Sequence, residues 1–145
     1  VFVAQSPCRE LMRMSAKLGA RAPLHASGVG KALLAGMDGT AAAFALATRP
    51  LAQYTSRTIV TQPLLAAELA AIRARGYAID DEEHAPGLRC VAAPIYDESG
   101  RSWAALSLSG SMARCASAWG DELGALGRTA ALEVTLALGG VTPRR

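Results

Sequence analysis

The sequence predicts one α+β domain built on an antiparallel sheet, and three observations predict it. Apolar runs of strand length are interleaved with stretches of helical period. Two of the strand runs are joined by a four-residue polar link, which places a β-hairpin near the centre of the chain. The 145 residues, 51% hydrophobic and 19% charged, suffice for one core, and no repeat or low-complexity linker divides them.

The hairpin pairs Leu88–Tyr96 with residues 102–109 through Asp97-Glu98-Ser99-Gly100, which reads as a type I turn with glycine where φ must be positive. Side chains alternate along a strand, so Ser107 and Ser109 share one face and Leu106 and Leu108 the other. On the first strand Cys90, Ala92 and Pro94 oppose Val91, Ala93 and Ile95. One face is aliphatic and calls for a core. The other is small and bears hydroxyls or a thiol, as the wall of a pocket would; the alternative is a face of ordinary solvent-exposed serines.

The other elements follow in chain order. Residues 1–5 and 11–16, around Ser6-Pro7, read as an opening pair of strands. A chain that opens inside an apolar strand is expected to be a domain cut from something longer. Over residues 22–37, Ser27 is placed to cap a short helix ending near Gly36, with Val29, Ala32 and Leu33 on its buried side. Gly28 and Gly30 cost a helix roughly 1 kcal/mol each relative to alanine, but allow close approach at its first turn. The unpaired N–H groups there attract anions. A nucleotide phosphate loop is not indicated, because Ala32 follows Lys31 where that motif needs Ser or Thr.

Asp38 or Thr40 caps a second helix through Ala47, and residues 54–60 read as a short strand or extended segment. After Thr61 and Pro63, Leu65, Leu69 and Ile72 share one helix face, closed by Gly76. Ser117 is placed to cap a long terminal helix with Asp121 and Glu122 in its first turns, favourable to the dipole. Its apolar stripe reads as Leu123, Leu126, Ala130 and Val134, and Gly139-Gly140 ends it.

Composition narrows the function classes. Aromatics make up 5% of the chain and net charge is +3 with no basic block, which disfavours a base-stacking nucleic-acid surface. No apolar run reaches the roughly 18–20 residues of a membrane span. Cys8, Cys90 and Cys115 are odd in number and widely spaced, so a reduced, cytoplasmic compartment is expected, without a zinc site or other metal or cofactor. Asp80-Asp81-Glu82-Glu83-His84 is an acidic run that reads as a solvated loop. An enzyme using Cys90 with His25 or His84, or the acidic loop, on a small carbonyl acid is the alternative from another class. A purely structural dimerisation module is a third.

Two segments, LHASGVGKALLA (residues 24–35) and RARGYAIDDEEHAPGLRCVAAPIYDESGRSWAALSLSG (residues 73–110), resemble the effector-binding domain of the IclR family of bacterial transcriptional regulators. The likeness runs from CRELMRMSA near the start to ALEVTLALGG at the end. It implies a GAF-like fold, a sheet flanked by helices, with no catalysis and with DNA contacted only through a helix-turn-helix domain that this chain lacks. It further implies a homodimer or tetramer and a small 2-oxo acid effector of the glyoxylate or pyruvate type. By the resemblance, Gly28 and Val29 supply backbone N–H donors, Asp80, Ser107 and Ser109 make polar contacts, and Cys90 lines the pocket. Leu11, Met14, Ala22 and Leu88 would be its apolar walls. Two positions depart from the family pattern. Ser111 replaces the usual proline after Gly110, and Ala22 stands where a larger aliphatic is common, which leaves room for a longer ligand.

Overall fold

The computed structural model describes residues 1–6, 17–47, 50–112 and 119–143. The elements are α1 (Gly28–Gly36), α2 (Gly39–Ala47), α3 (Gln62–Arg75), β1 (Ala78–Asp81), β2 (Leu88–Tyr96), β3 (Ser102–Ser111) and α4 (Trp119–Ala137). Among the described residues the strands form one antiparallel sheet in the order β1-β2-β3. The domain is α+β, as the sequence predicts.

The hairpin has the expected turn. Gly100 has φ +76°, its N–H reaches the Asp97 carbonyl at 3.0 Å, and the Asp97 N–H reaches the Arg101 carbonyl at 2.9 Å. A register shift between Ile95 and Tyr96 absorbs the extra residue. Both sheet faces are covered, which corrects the expectation of a core on one side only. The larger apolar cluster lies on the small-residue face, where Ala78, Ala92 and Ala105 meet Ala32, Leu34 and Ala35 of α1, with Leu65, Leu69 and Ile72 of α3 behind them. The side chains there are small because a helix needs that space. On the opposite face Ala93 and Ile95 pack with Tyr77 and Ala131, joined by Ile79, Leu106 and Val134.

Several local expectations hold. Ser27 caps α1 by accepting from the Gly30 N–H at 3.1 Å, and Asp38 caps α2 by accepting from Ala41 at 2.8 Å. Gly76, at φ +87°, closes α3. Others do not. Residues 1–5 form no strand; instead Phe2 exchanges backbone hydrogen bonds with Gly19 and Ala20, beyond a turn that ties Ala20 to Lys17. Residues 54–60 form a turn because the buried Thr58 hydroxyl accepts from the Tyr54 and Thr55 N–H groups, at 3.0 and 2.9 Å. On α4, Leu126 is 61% exposed and the inner stripe runs through Gly124, Gly127 and Ala131. A side chain at Gly124 would strike the Tyr77 ring, so the helix seats on its glycines and turns Leu126, Leu132 and Leu136 outward. On α1, Val29 and Leu33 are only half-buried, whereas Lys31 is buried. The expected strand over residues 11–16 and the Ser117 cap lie outside the described residues.

Candidate functional site

The strand register assembles the predicted polar residues in rows. Asp80 pairs with Cys90 and Cys90 with Ser109; one step along, Ala78 pairs with Ala92 and Ala92 with Ser107. Directly opposed residues point to the same face, so Asp80, Cys90, Ser107 and Ser109 share one side of the sheet. The first turn of α1 lies on that side. A Cβ on Gly28 would stand 3.4 Å from that of Cys90, 3.5 Å from that of Ala92 and 3.8 Å from that of Asp80. An alanine methyl at position 28 would sit in ordinary van der Waals contact with these three residues, so the helix start lies close against the sheet. Gly30 is tighter still, because a Cβ there would lie 2.5 Å from the Leu24 Cα and 2.6 Å from the Pro23 carbonyl oxygen.

Of the predicted residues, Gly28, Asp80, Leu88 and Cys90 are buried, Ala22, Val29 and Ser107 are half-buried and Ser109 is exposed. Leu11 and Met14 lie outside the described residues. Two cavities among the described residues lie elsewhere. One, of about 330 Å³, lies on the far face among Ala93, Tyr96, Arg128, Leu132 and Pro143; the other, of about 210 Å³, lies among His25, Leu46, Pro50 and Tyr54.

The acidic run is no solvated loop, which corrects its reading from the sequence. Asp80 is 1% exposed and Glu83 7%. Asp80 Oδ1 accepts from the N–H groups of Glu83, at 2.8 Å, and His84, at 3.3 Å. The turn is pinned from outside as well. The Thr55 and Thr58 hydroxyls donate to the carbonyls of Glu82 and Glu83, each at 2.7 Å, and Arg57 and Arg89 both pair with Asp81. Left-handed φ values at Glu82 (+62°) and Gly87 (+75°) fold it back into β2.

The unforeseen residue is Lys31. Its ammonium, 1% exposed, donates to the Ile79 carbonyl at 2.6 Å and pairs with Glu83, with Glu68 at 3.7 Å. Glu68 in turn pairs with Arg75 at 2.7 Å. A signal was present in the sequence: Lys31, Leu34 and Ala35 share one helix face at i, i+3 and i+4. Two carboxylate oxygens, Asp80 Oδ2 and Glu83 Oε2, are buried without a partner among the described residues. Burial pushes both carboxyls above their usual range, against the opposing pull of Lys31 and, at Asp80, of the backbone donors. A carboxyl raised in the folded state favours folding fully below its ordinary pKa and loses that contribution as pH rises through the raised value. Denaturant titrations of Asp80→Asn should therefore show a flatter decline in stability from acid to neutral pH than the parent chain.

His25 Nε2 lies 2.9 Å from the Ala52 carbonyl oxygen, and both histidine rings face Tyr54, at centroid distances of 6.0 Å for His25 and 5.5 Å for His84. Among the described residues no cluster of His, Cys, Asp and Glu is arranged to hold a metal ion, and no helix is long and apolar enough to cross a membrane.

Residues 1–136 match the protein-family model described as bacterial transcriptional regulator IclR C-terminal. The chain is 48% identical over 140 residues to the acetate operon repressor of Salmonella typhimurium strain LT2, covering 97% of this chain and 51% of the repressor. It is 46% identical over 141 residues to the transcriptional repressor IclR of Escherichia coli K12, covering 97% and 52%. The crystal structure of Thermotoga maritima IclR superposes with a TM-score of 0.85 at 31% identity, over 90% of this chain and 53% of that one. The chain thus spans about half the length of the curated relatives it matches.

Proposed function

Because the chain belongs to the bacterial transcriptional regulator IclR C-terminal family, we propose that it is the sensing and oligomerising domain of a cytoplasmic repressor whose effector is a small 2-oxo acid of the glyoxylate or pyruvate type. DNA is contacted by a helix-turn-helix segment outside these 145 residues. A role at an acetate operon accords with the name of the Salmonella relative. The observation that carries the reading is the seating of α1 on the sheet. Its open N–H groups at Gly28 and Val29 lie beside the row that holds Asp80, Cys90 and Ser109. Carboxylate at the helix start and hydroxyls for the other oxygens match a two- or three-carbon acid. Such a ligand stabilises whichever assembly state binds it better, and so alters the spacing of the DNA-binding heads. Sedimentation of the 145-residue chain at tens of micromolar should give a dimer or tetramer.

Affinity is expected to be modest. With five non-hydrogen atoms and a ceiling of about 1.5 kcal/mol each, glyoxylate binds no tighter than several micromolar. Calorimetry with glyoxylate and pyruvate tests the site. Removing one hydroxyl leaves a ligand oxygen unpaired at a cost of roughly 1–3 kcal/mol, about 5- to 150-fold. Ser107→Ala should show the larger loss, since Ser107 is half-buried and Ser109 exposed. Ser102→Ala is the control. Its hydroxyl donates to the Leu33 carbonyl at 2.8 Å, so its removal costs stability, about 1 kcal/mol, and leaves binding unchanged. Unaltered binding in both Ser107→Ala and Ser109→Ala would place the pocket elsewhere, and steady consumption of glyoxylate would mark an enzyme.

A further inference from the structure

We propose that Asp80 is a hydrogen-bond donor in this site: in the complex Oδ2 carries a proton, taken from solvent, and donates it to the effector's carboxylate, so that binding an acid takes up one proton. This rests on the site reading above and assigns its pH response and its selectivity for anions. The argument is one of charge and partners. Three carboxylates (Glu68, Asp80 and Glu83) surround Lys31, with Arg75 as the second cation. Arg75 takes Glu68 and Lys31 takes Glu83. Asp80 is left with two backbone N–H donors, both on Oδ1, while Oδ2 is buried and bare. A buried carboxylate oxygen with neither cation nor donor is costly as an anion and becomes a donor once protonated.

Lys31 and His84 are the charges that still pull the Asp80 carboxyl down, and burial outweighs them. From β2 the facing residue is Cys90, and from α1 the nearest backbone is that of Gly28. On its own turn stand Glu83 and His84, the latter against Tyr54, with His25 beyond. Arg57 and Arg89 pair with Asp81, and across the sheet α4 offers Asp121 to the Tyr77 hydroxyl. An effector carboxylate at the α1 start would be repelled by an ionised Asp80 and would raise its affinity for a proton. The same arrangement accepts a carboxylate and gains no proton-linked affinity for the corresponding amide.

The test is calorimetric titration of the 145-residue chain with sodium pyruvate and sodium glyoxylate, both ionised throughout, from about pH 5.5 to about 8.5 in two buffers of different ionisation enthalpy. Supporting results are uptake of one proton at the alkaline end and an affinity that falls about tenfold per pH unit there and levels off in acid. Asp80→Asn, whose amide is a donor at every pH, should bind both acids with a flat pH profile. Wild-type binding without proton uptake overturns the proposal alone, and Ser107→Ala then still reports on the site. A wild-type pH slope kept intact in Asp80→Asn assigns the proton elsewhere, to His84 or His25, and also overturns it. No binding of either acid by the wild-type chain overturns the proposal together with the site reading.

Discussion

Lys31→Ala is expected to destabilise the domain by on the order of 3–5 kcal/mol, the usual cost of removing one partner from a buried ion pair. In a domain of this size that lowers the melting temperature by on the order of 10 °C. The ammonium is almost wholly buried and joins three elements: α1, which carries it, the Ile79 carbonyl of β1, and Glu83 of the following turn. Without it Glu83 has two buried oxygens and no cation. The charge, rather than the lost packing, should dominate, because the methylenes of a lysine can be replaced by methionine at a cost below about 1.5 kcal/mol. Lys31→Met should therefore remain well below wild type, while Lys31→Met combined with Glu83→Gln should recover most of the loss. Urea unfolding of wild type, Lys31→Met, Glu83→Gln and the double variant gives the coupling energy. A Lys31→Met chain as stable as wild type would show that the pair contributes nothing.

Gly30→Ala is expected to destabilise the chain despite the higher helix propensity of alanine. The propensity gain is about 1 kcal/mol. Against it stands a collision with backbone rather than with a flexible side chain: the new Cβ would lie 2.5 Å from the Leu24 Cα and 2.6 Å from the Pro23 carbonyl oxygen. Overpacking costs 1–3 kcal/mol even where side chains can yield, and here the segment before α1 must shift. The net loss should be about 2 kcal/mol. Because the shift moves Gly28 and Val29 off the sheet, effector affinity should fall with it. Gly39→Ala is the comparison, since a Cβ there meets nothing within 4 Å; it should be neutral or stabilising. Denaturant midpoints with pyruvate titrations follow both effects. A Gly30→Ala chain with unchanged stability would show that the segment before α1 yields at no cost.

What could be read from the sequence were features set by a residue's own chain neighbours. Period-two alternation placed the two hairpin strands and their faces, so the pairing of Cys90 with Ser109 and of Ala92 with Ser107 follows once the hairpin register is known, whereas β1, which brings Asp80 to that row, was not read as a strand. The caps at Ser27, Asp38 and Gly76 depend on hydrogen bonds that close within four residues, and all three formed. The motifs around residues 24–35 and 73–110 were likewise local enough to point to the family that residues 1–136 match.

Tertiary structure decided what depends on partners distant in sequence. Asp80 and Glu83 looked solvated because nothing in the acidic run shows that Lys31 comes to meet it from 52 residues away. Residues 54–60 have strand composition, yet the Thr58 hydroxyl has the Glu83 carbonyl to satisfy and bends them into a turn. The α4 stripe was read through Leu126 on hydrophobicity, whereas the helix seats on Gly124 because the Tyr77 ring occupies that space. Charge and hydropathy describe a residue's cost in water. Whether a residue is taken out of water, and what it meets there, is settled by the elements packed against it.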